Sequence, residues 1–189
     1  MCQMRVIAGK VRRMSLIAPE GNSVRPTTDR IKETLFNILQ NYIAGSSFLD
    51  LYSGSGGIGI EALSRGAEEV VMVDKSKESL RCIEYNLKHT RLSEDAEVLP
   101  MDALQAIRNL SKRGKYFDIV FMDPPYEQEL ELQTLEALAG SGIIDGDSMV
   151  IVESSLRTDP EDFNMYGFSV ARIKRYKTNQ HIFLTYNEE

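Results

Sequence analysis

The sequence predicts an α/β fold, a doubly wound seven-stranded sheet preceded by an N-terminal β-hairpin extension. Three observations carry that expectation. From residue 48 onward, short apolar runs alternate with amphipathic stretches of helical period, the pattern of βαβ units with helices on both faces of a parallel sheet. The last two runs, 169–176 and 181–186, are separated only by Lys177 to Gln180, as in an antiparallel hairpin added to a sheet edge. Each polar motif of note falls just after a predicted strand, where a doubly wound sheet places its ligand.

Along the chain, residues 4–17 hold two short runs of alternating character around Gly9 and Lys10, which suggests the hairpin. A loop over 19–26 follows. Ile31, Leu35, Ile38, Leu39 and Tyr42 then recur at helical intervals. Thr27 or Thr28 can cap that helix, Asp29 sits in its first turn, and Gly45 is the expected stop. Strands are expected at 48–52, 70–74, 96–100, 117–123 and 148–154, and helices at 58–67, 77–90, near 102–113 and near 128–139. The extension covers residues 1–24 and the doubly wound domain 25–189.

A chain of 189 residues suffices for one core and a small appendage. With 42% hydrophobic and 26% charged residues, a folded protein is expected rather than a disordered one. No apolar run approaches the ~20 residues of a membrane span, and the start has no apolar core of a secretory signal. Cys2 and Cys82 form no Cys-x-x-Cys pair, which fits a reducing, cytoplasmic setting. His89 and His181 have no metal-ligand spacing, so no metal site is expected, and both read as surface or half-buried residues.

Net charge is −6, yet it is unevenly spread. Residues 1–32 carry Arg5, Lys10, Arg12, Arg13, Arg25, Arg30 and Lys32 against Glu20 and Asp29, a balance of +5 that leaves −11 for the rest. Arg172, Lys174, Arg175 and Lys177 form a second basic cluster. Phosphate binding follows local potential, so an RNA-facing front and a merely solvated hairpin stand level on charge alone.

After the first parallel strand comes Asp50-Leu-Tyr-Ser53-Gly54-Ser-Gly56-Gly57-Ile-Gly59. Such a loop lets a ligand approach the backbone at a helix N-terminus. No Lys-Ser/Thr follows, which excludes a nucleoside-triphosphate P-loop and leaves a dinucleotide or S-adenosylmethionine. Asp74, 20 residues after Gly54, is placed to accept from ribose hydroxyls in either case. Asp50 favours S-adenosylmethionine, because a carboxylate attracts a cationic ammonium and repels a pyrophosphate. Asp102 can accept from an adenine amine or cap the next helix.

Asp123-Pro124-Pro125-Tyr126 follows the fourth strand. Two prolines fix φ and remove two donors, leaving carbonyls, one carboxylate and one aromatic face. That combination suits a planar group bearing an exocyclic amine, with Tyr126 stacked on its face.

The order of FLDLYSGSGGIGIEAL, VVMVDKS, MDA and DPPY resembles the class I S-adenosylmethionine-dependent methyltransferases that act on amino nitrogens, with their Rossmann-like sheet. The front segments RVIAGKVRRMSL and RPTTDRIKETLFNIL narrow the resemblance to the RsmD family, which methylates the N2 amine of one guanosine in bacterial 16S rRNA. The similarity covers roughly residues 4–187. It implies S-adenosylmethionine as cofactor, with Asp50, Ser53, Gly54 and Gly56 at its methionine end. Asp74, Lys75 and Ser76 would lie at the ribose and adenine, and Asp102 and Ala103 at the adenine edge. Asp123, Pro124, Pro125 and Tyr126 would hold the guanine, with Asp123 as the principal catalytic group. Arg5, Lys10, Arg12 and Arg13 would contact RNA, and Arg25 and Arg30 either RNA phosphate or the cofactor. The implied partner is 16S rRNA or a small-subunit assembly particle, met by a monomer in the cytoplasm. Rival readings are an adenine-N6 or protein-glutamine methyltransferase, a nicotinamide-dependent oxidoreductase and a non-catalytic RNA-binding module. The second leaves the Asp-Pro-Pro-Tyr segment unexplained.

Overall fold

The computed structural model describes residues 4–19, 29–125 and 130–187. The chain divides into two compact units, residues 1–101 and 102–189. The first holds α1 (Asp29–Ile38), β1 (Ser47–Leu51), α2 (Gly57–Ser64), β2 (Glu69–Val73), α3 (Lys77–Thr90) and β3 (Ala96–Leu99). The second holds α4 (Ala103–Lys112), β4 (Ile119–Met122), α5 (Leu130–Leu138), β5 (Met149–Ser155), β6 (Phe168–Arg175) and β7 (Asn179–Tyr186). Strand order is β3-β2-β1-β4-β5-β7-β6, the seven-stranded sheet expected from the sequence. No helix among the described residues is long and apolar enough to cross a membrane.

In the first unit β1 pairs parallel with β2, and β2 with β3. Phe48, Leu49, Leu51 and Val70 to Val73 are all buried, which is why β1 and β2 read as apolar runs, broken in β1 only by Asp50, rather than as alternating ones. Helix α2 is buried at all eight positions. Its outer face is covered by the N-terminal hairpin, closed by Val6 N–H to Met14 O at 2.9 Å, Arg13 N–H to Val6 O at 2.9 Å and Leu16 N–H to Met4 O at 2.8 Å. Val6 and Leu16 turn inward. At the turn, Lys10 N–H donates to Ser64 O at 2.7 Å. A Cβ on Gly9, whose φ is +86°, would stand 1.8 Å from the same oxygen, so the close approach requires glycine.

One buried carboxylate organises this layer. Glu61 accepts from Ile7 N–H at 2.8 Å, Ala8 N–H at 3.0 Å and Arg65 Nε at 2.8 Å. Lys32 Nζ lies 3.3 Å from Glu61 Oε2, the oxygen that also accepts from Ile7 N–H, and donates to Arg5 O at 2.6 Å. Lys32, counted with the basic front of the sequence, is therefore a core residue at 2% exposure and adds nothing to the outward field. Burial lowers its pKa, against the pull of Glu61 in the other direction. Helix α1 also stops at Ile38 rather than running to Gly45. Leu39 and Ile43 stay buried through a turn in which Gln40, Asn41 and Tyr42 face outward, and Gly45 N–H donates to Gly66 O at 2.8 Å.

In the second unit β4 and β5 are parallel, and β5, β7 and β6 pair antiparallel in turn. β7 begins at Asn179, two residues earlier than expected, because Tyr176 N–H donates to Asn179 O at 2.8 Å and closes a two-residue turn at Lys177 and Thr178. β6 is the terminal strand of the order, bulged between Val170 and Arg172, and its Arg172 and Arg175 are exposed. Charges and a bulge blunt an edge against unwanted pairing. His181 departs from expectation. It is fully buried, held on β7 against Glu153 of β5. His89 is exposed and stacks on Tyr85 at 5.9 Å.

Candidate active site

In the first unit the site grows from the ends of β1 and β2. Ser53 extends their ladder. Its N–H donates to Val73 O at 2.9 Å, its Oγ donates to Asp50 O at 2.7 Å, and the same Oγ accepts from Val73 N–H at 3.0 Å. The chain then turns sharply, with left-handed φ at Tyr52 (65°), Gly54 (56°) and Gly56 (76°). A Cβ on Gly59 would meet Met72 Cε at 2.6 Å, so α2 starts tight against β2. Asp74 clasps this loop. Its Oδ2 accepts from Gly54 N–H and its Oδ1 from Ser76 N–H, both at 2.8 Å. Each oxygen is fixed by one backbone donor and keeps acceptor capacity, which suits the vicinal hydroxyls of a ribose. Ser76 caps α3 by accepting from Ser79 N–H, and Lys75 is exposed.

Asp50 lies beneath the loop, 1% exposed, with Oδ2 accepting from Gly59 N–H at 3.1 Å. Burial pushes its carboxyl up to about 7, opposed by the Gly59 hydrogen bond and helped by the charge on Asp74. A cation bound above it would favour the anion, so the residues fit the ammonium of a methionine moiety and its nucleoside. The sign follows from linkage. The unfolded carboxyl ionises near 3.8 and the native one near 7, so the unliganded fold loses stability as pH rises between those values. A cationic ammonium seated over Asp50 would expel the proton. Affinity should rise from about pH 6 to about pH 8 and then level off. Calorimetry in buffers of differing ionisation enthalpy should register proton release below about pH 7, and Asp50→Asn should abolish it.

In the second unit β4 delivers Asp123, half-buried, followed by buried Pro124 and exposed Pro125. Tyr126 and Arg25 lie outside the described residues. Asp102 takes the helix-cap role, its Oδ1 accepting from Gln105 N–H at 2.9 Å, and Ala103 is buried behind it. Of the basic front, Lys10, Arg12, Arg13 and Arg30 are exposed. Arg5 Nε donates to Asp29 Oδ2 at 2.8 Å across the hairpin–α1 junction.

A family model described as "Conserved hypothetical protein 95" matches residues 4–186. Ribosomal RNA small subunit methyltransferase D of Escherichia coli (strain K12) is 33% identical over 182 residues, 94% of this chain and 90% of that protein. The chain belongs to the RsmD family. YlbH of Bacillus subtilis (strain 168) is 39% identical over 150 residues, 79% of this chain and 82% of that one. Among solved structures, yhhF from Escherichia coli superposes with a TM-score of 0.84 at 28% identity, covering 99% of both chains. The Rossmann-like α/β architecture is thus that of its relatives.

Within this RsmD-family chain, three further polar residues that no motif marks tie neighbouring elements together. Asn86 of α3 accepts from Ile17 N–H and donates to both Ile17 O and Ser55 O, each at 2.9 Å, tying the end of the hairpin to the glycine loop. Glu61 was visible as the lone acid in an otherwise apolar GIGIEALS. Glu153 follows the apolar run 150–152 near the end of β5, much as Asp74 closes the run 70–73 in the sequence.

Proposed function

We propose that this protein transfers a methyl group from S-adenosylmethionine to the exocyclic N2 amine of a guanosine in 16S rRNA. The observation that carries the reading is the Asp74 clasp on Gly54, in a chain of the RsmD family whose β4 is followed by Asp-Pro-Pro. Asp74 would hold the ribose, with Lys75 and Ser76 beside the adenine and Asp102 and Ala103 at its edge. Gly54, Gly56 and Ser53 shape the methionine end, and Asp50 supplies the counter-charge. The sulfonium supplies an electrophilic methyl. What the chain must do is align nitrogen, methyl and sulfur and stabilise charge growing on nitrogen. Asp123 and the Pro124 carbonyl accept hydrogen bonds from the two amine N–H groups, which turns the lone pair out of the ring plane toward the methyl. Once the N–C bond has formed, the nitrogen gives up one proton to Asp123 or to water. Tyr126 stacks on the base.

The guanosine enters unpaired or flipped. Residues 1–24 serve as an RNA-facing extension of the methyltransferase domain 25–189, through Arg5, Lys10, Arg12 and Arg13. Arg25 and Arg30 contact RNA phosphate or close over the cofactor. The substrate is 16S rRNA, free or in a small-subunit assembly particle, met by a cytoplasmic monomer. Purified protein should bind S-adenosylmethionine and not NAD by calorimetry, and should transfer labelled methyl to unmodified 16S rRNA. Binding of NAD in preference, or no labelling of RNA, contradicts the proposal.

Charge reversal at Arg12 and Arg13 should weaken RNA binding and leave cofactor affinity unchanged. The slope of log K against log salt should fall by about 1–2, roughly one per lost phosphate contact. An unchanged slope removes the hairpin from the RNA site.

A further inference from the structure

The second unit carries a buried polar chain that the methyl-transfer scheme above does not use. Glu153 pairs with His181 across β5 and β7. His181 Nε2 lies 3.1 Å from Glu153 Oε2, and its Nδ1 lies 3.1 Å from the Tyr176 hydroxyl. Burial and the nearby charge of Glu153 push that hydroxyl up to about 12, so it stays protonated and donates. Hydrogen-bond logic then places the imidazole proton on Nε2, pointing at Glu153. The other Glu153 oxygen takes the Asn179 amide nitrogen. Glu153, Asn179 and His181 are 5%, 5% and 0% exposed.

This arrangement fixes the Asn179 amide. Glu153 needs a donor, so Nδ2 faces it and Oδ1 must point away. Asn179 Oδ1 has no hydrogen-bond partner among the described residues, although it is buried. A buried acceptor without a donor is costly, and its partner is a ligand or an ordered water. Its position indicates which. Met122 of β4 pairs with Val152 of β5, so one residue further on, Asp123 stands beside Glu153, and Glu153 beside His181. Side chains paired across a sheet share a face, and Phe121, two residues before Asp123, presents its ring to His181 on that face at 5.8 Å. Asn179 pairs with Ser155, two residues beyond Glu153, and is therefore on the face of Asp123 and reaches back over Glu153. Gln180 alternates to the opposite face, where its Nε2 anchors Ser155 O and Thr158 O.

We infer that Asn179 is a specificity-determining residue whose Oδ1 accepts the N1–H of the target guanine. This deepens the proposed function and rests on it. Guanine presents two kinds of donor side by side, the N2 amine and N1–H, whereas adenine has an acceptor at N1. With Asp123 on the amine, a second fixed acceptor on the same face reads N1–H and rejects adenine. Glu153, His181 and Tyr176 are positioning residues that hold the amide in the accepting orientation.

The test compares methylation of one RNA substrate carrying guanosine, 6-thioguanosine or 2-aminopurine at the target position. 6-Thioguanosine keeps the amine and N1–H. 2-Aminopurine keeps the amine and lacks N1–H. Wild-type kcat/KM should be similar for the first two and lower for 2-aminopurine by about tenfold or more, the range of a good base-edge contact. Asn179→Leu should shrink that preference to within about threefold, with S-adenosylmethionine affinity unchanged as the check on folding. Equal methylation of 2-aminopurine by the wild type, which needs no variant to fold, overturns the inference, as does an undiminished preference in Asn179→Leu. Failure to methylate guanosine at all overturns instead the reading on which the inference stands.

Discussion

Asp123→Ala should lower kcat by about 10²–10³-fold, the loss typical when one fixed group facing developing charge is removed. S-adenosylmethionine affinity should stay within about threefold of wild type, because the Asp74 clasp and the buried Asp50 belong to the first unit and are untouched. The split follows from when each interaction forms. In the proposed reaction Asp123 would hold the amine while positive charge grows on nitrogen, so its contribution would be larger in the transition state than in the ground state. Asp123→Asn keeps a carbonyl acceptor and loses the charge, and should fall between the two. Single-turnover methyl transfer with saturating cofactor measures the effect. A near wild-type rate for the alanine variant removes Asp123 from the chemistry.

Glu61→Leu should cost about 3–5 kcal/mol of unfolding free energy, the usual penalty for breaking a buried ion pair from one side. Glu61 is fully buried and serves Lys32, Arg65 and the Ile7 and Ala8 N–H groups together. Its removal strands an ammonium that is 2% exposed. The double variant Lys32→Met, Glu61→Leu removes both charges and should recover a substantial part of the loss. Urea unfolding of the four proteins closes the cycle. Hydrogen exchange at Ile7 and Ala8 should speed up in Glu61→Leu, since the hairpin loses its anchor on α2. A destabilisation below about 1 kcal/mol would mean that Glu61 is not the keystone the contacts suggest.

Local signals made much of this legible in the sequence. Helix α3 matches its expected span of 77–90 because Ser76 announces the start and Leu80, Ile83 and Leu87 keep the period. The parallel strands β2 and β4 were legible because burial on both faces makes them runs of apolar residues. The 20-residue step from Gly54 to Asp74 marked Asp74 as a polar residue just past β2, whereas its hydrogen bond to Gly54 N–H shows only in the structure.

What stayed hidden has partners far along the chain. Lys32 looks like a surface residue of α1 until Glu61, 29 positions later, is placed against it. His181 looks ordinary until antiparallel pairing sets it beside Glu153. The early end of α1 and the early start of β7 reflect a turn and a hairpin closure that periodicity does not encode. Asp50 was read for its charge, whereas the structure adds burial, which pushes its carboxyl up to about 7.

The central claim is that a guanine amine receives the methyl group. Mass mapping of nucleosides in 16S rRNA from a strain lacking the corresponding enzyme, before and after incubation with purified protein and S-adenosylmethionine, tests it most directly. The account predicts that N2-methylguanosine appears at one position and that other nucleosides are unchanged. Methyl groups on adenine, or guanosines left as they were by protein that binds the cofactor, would contradict it.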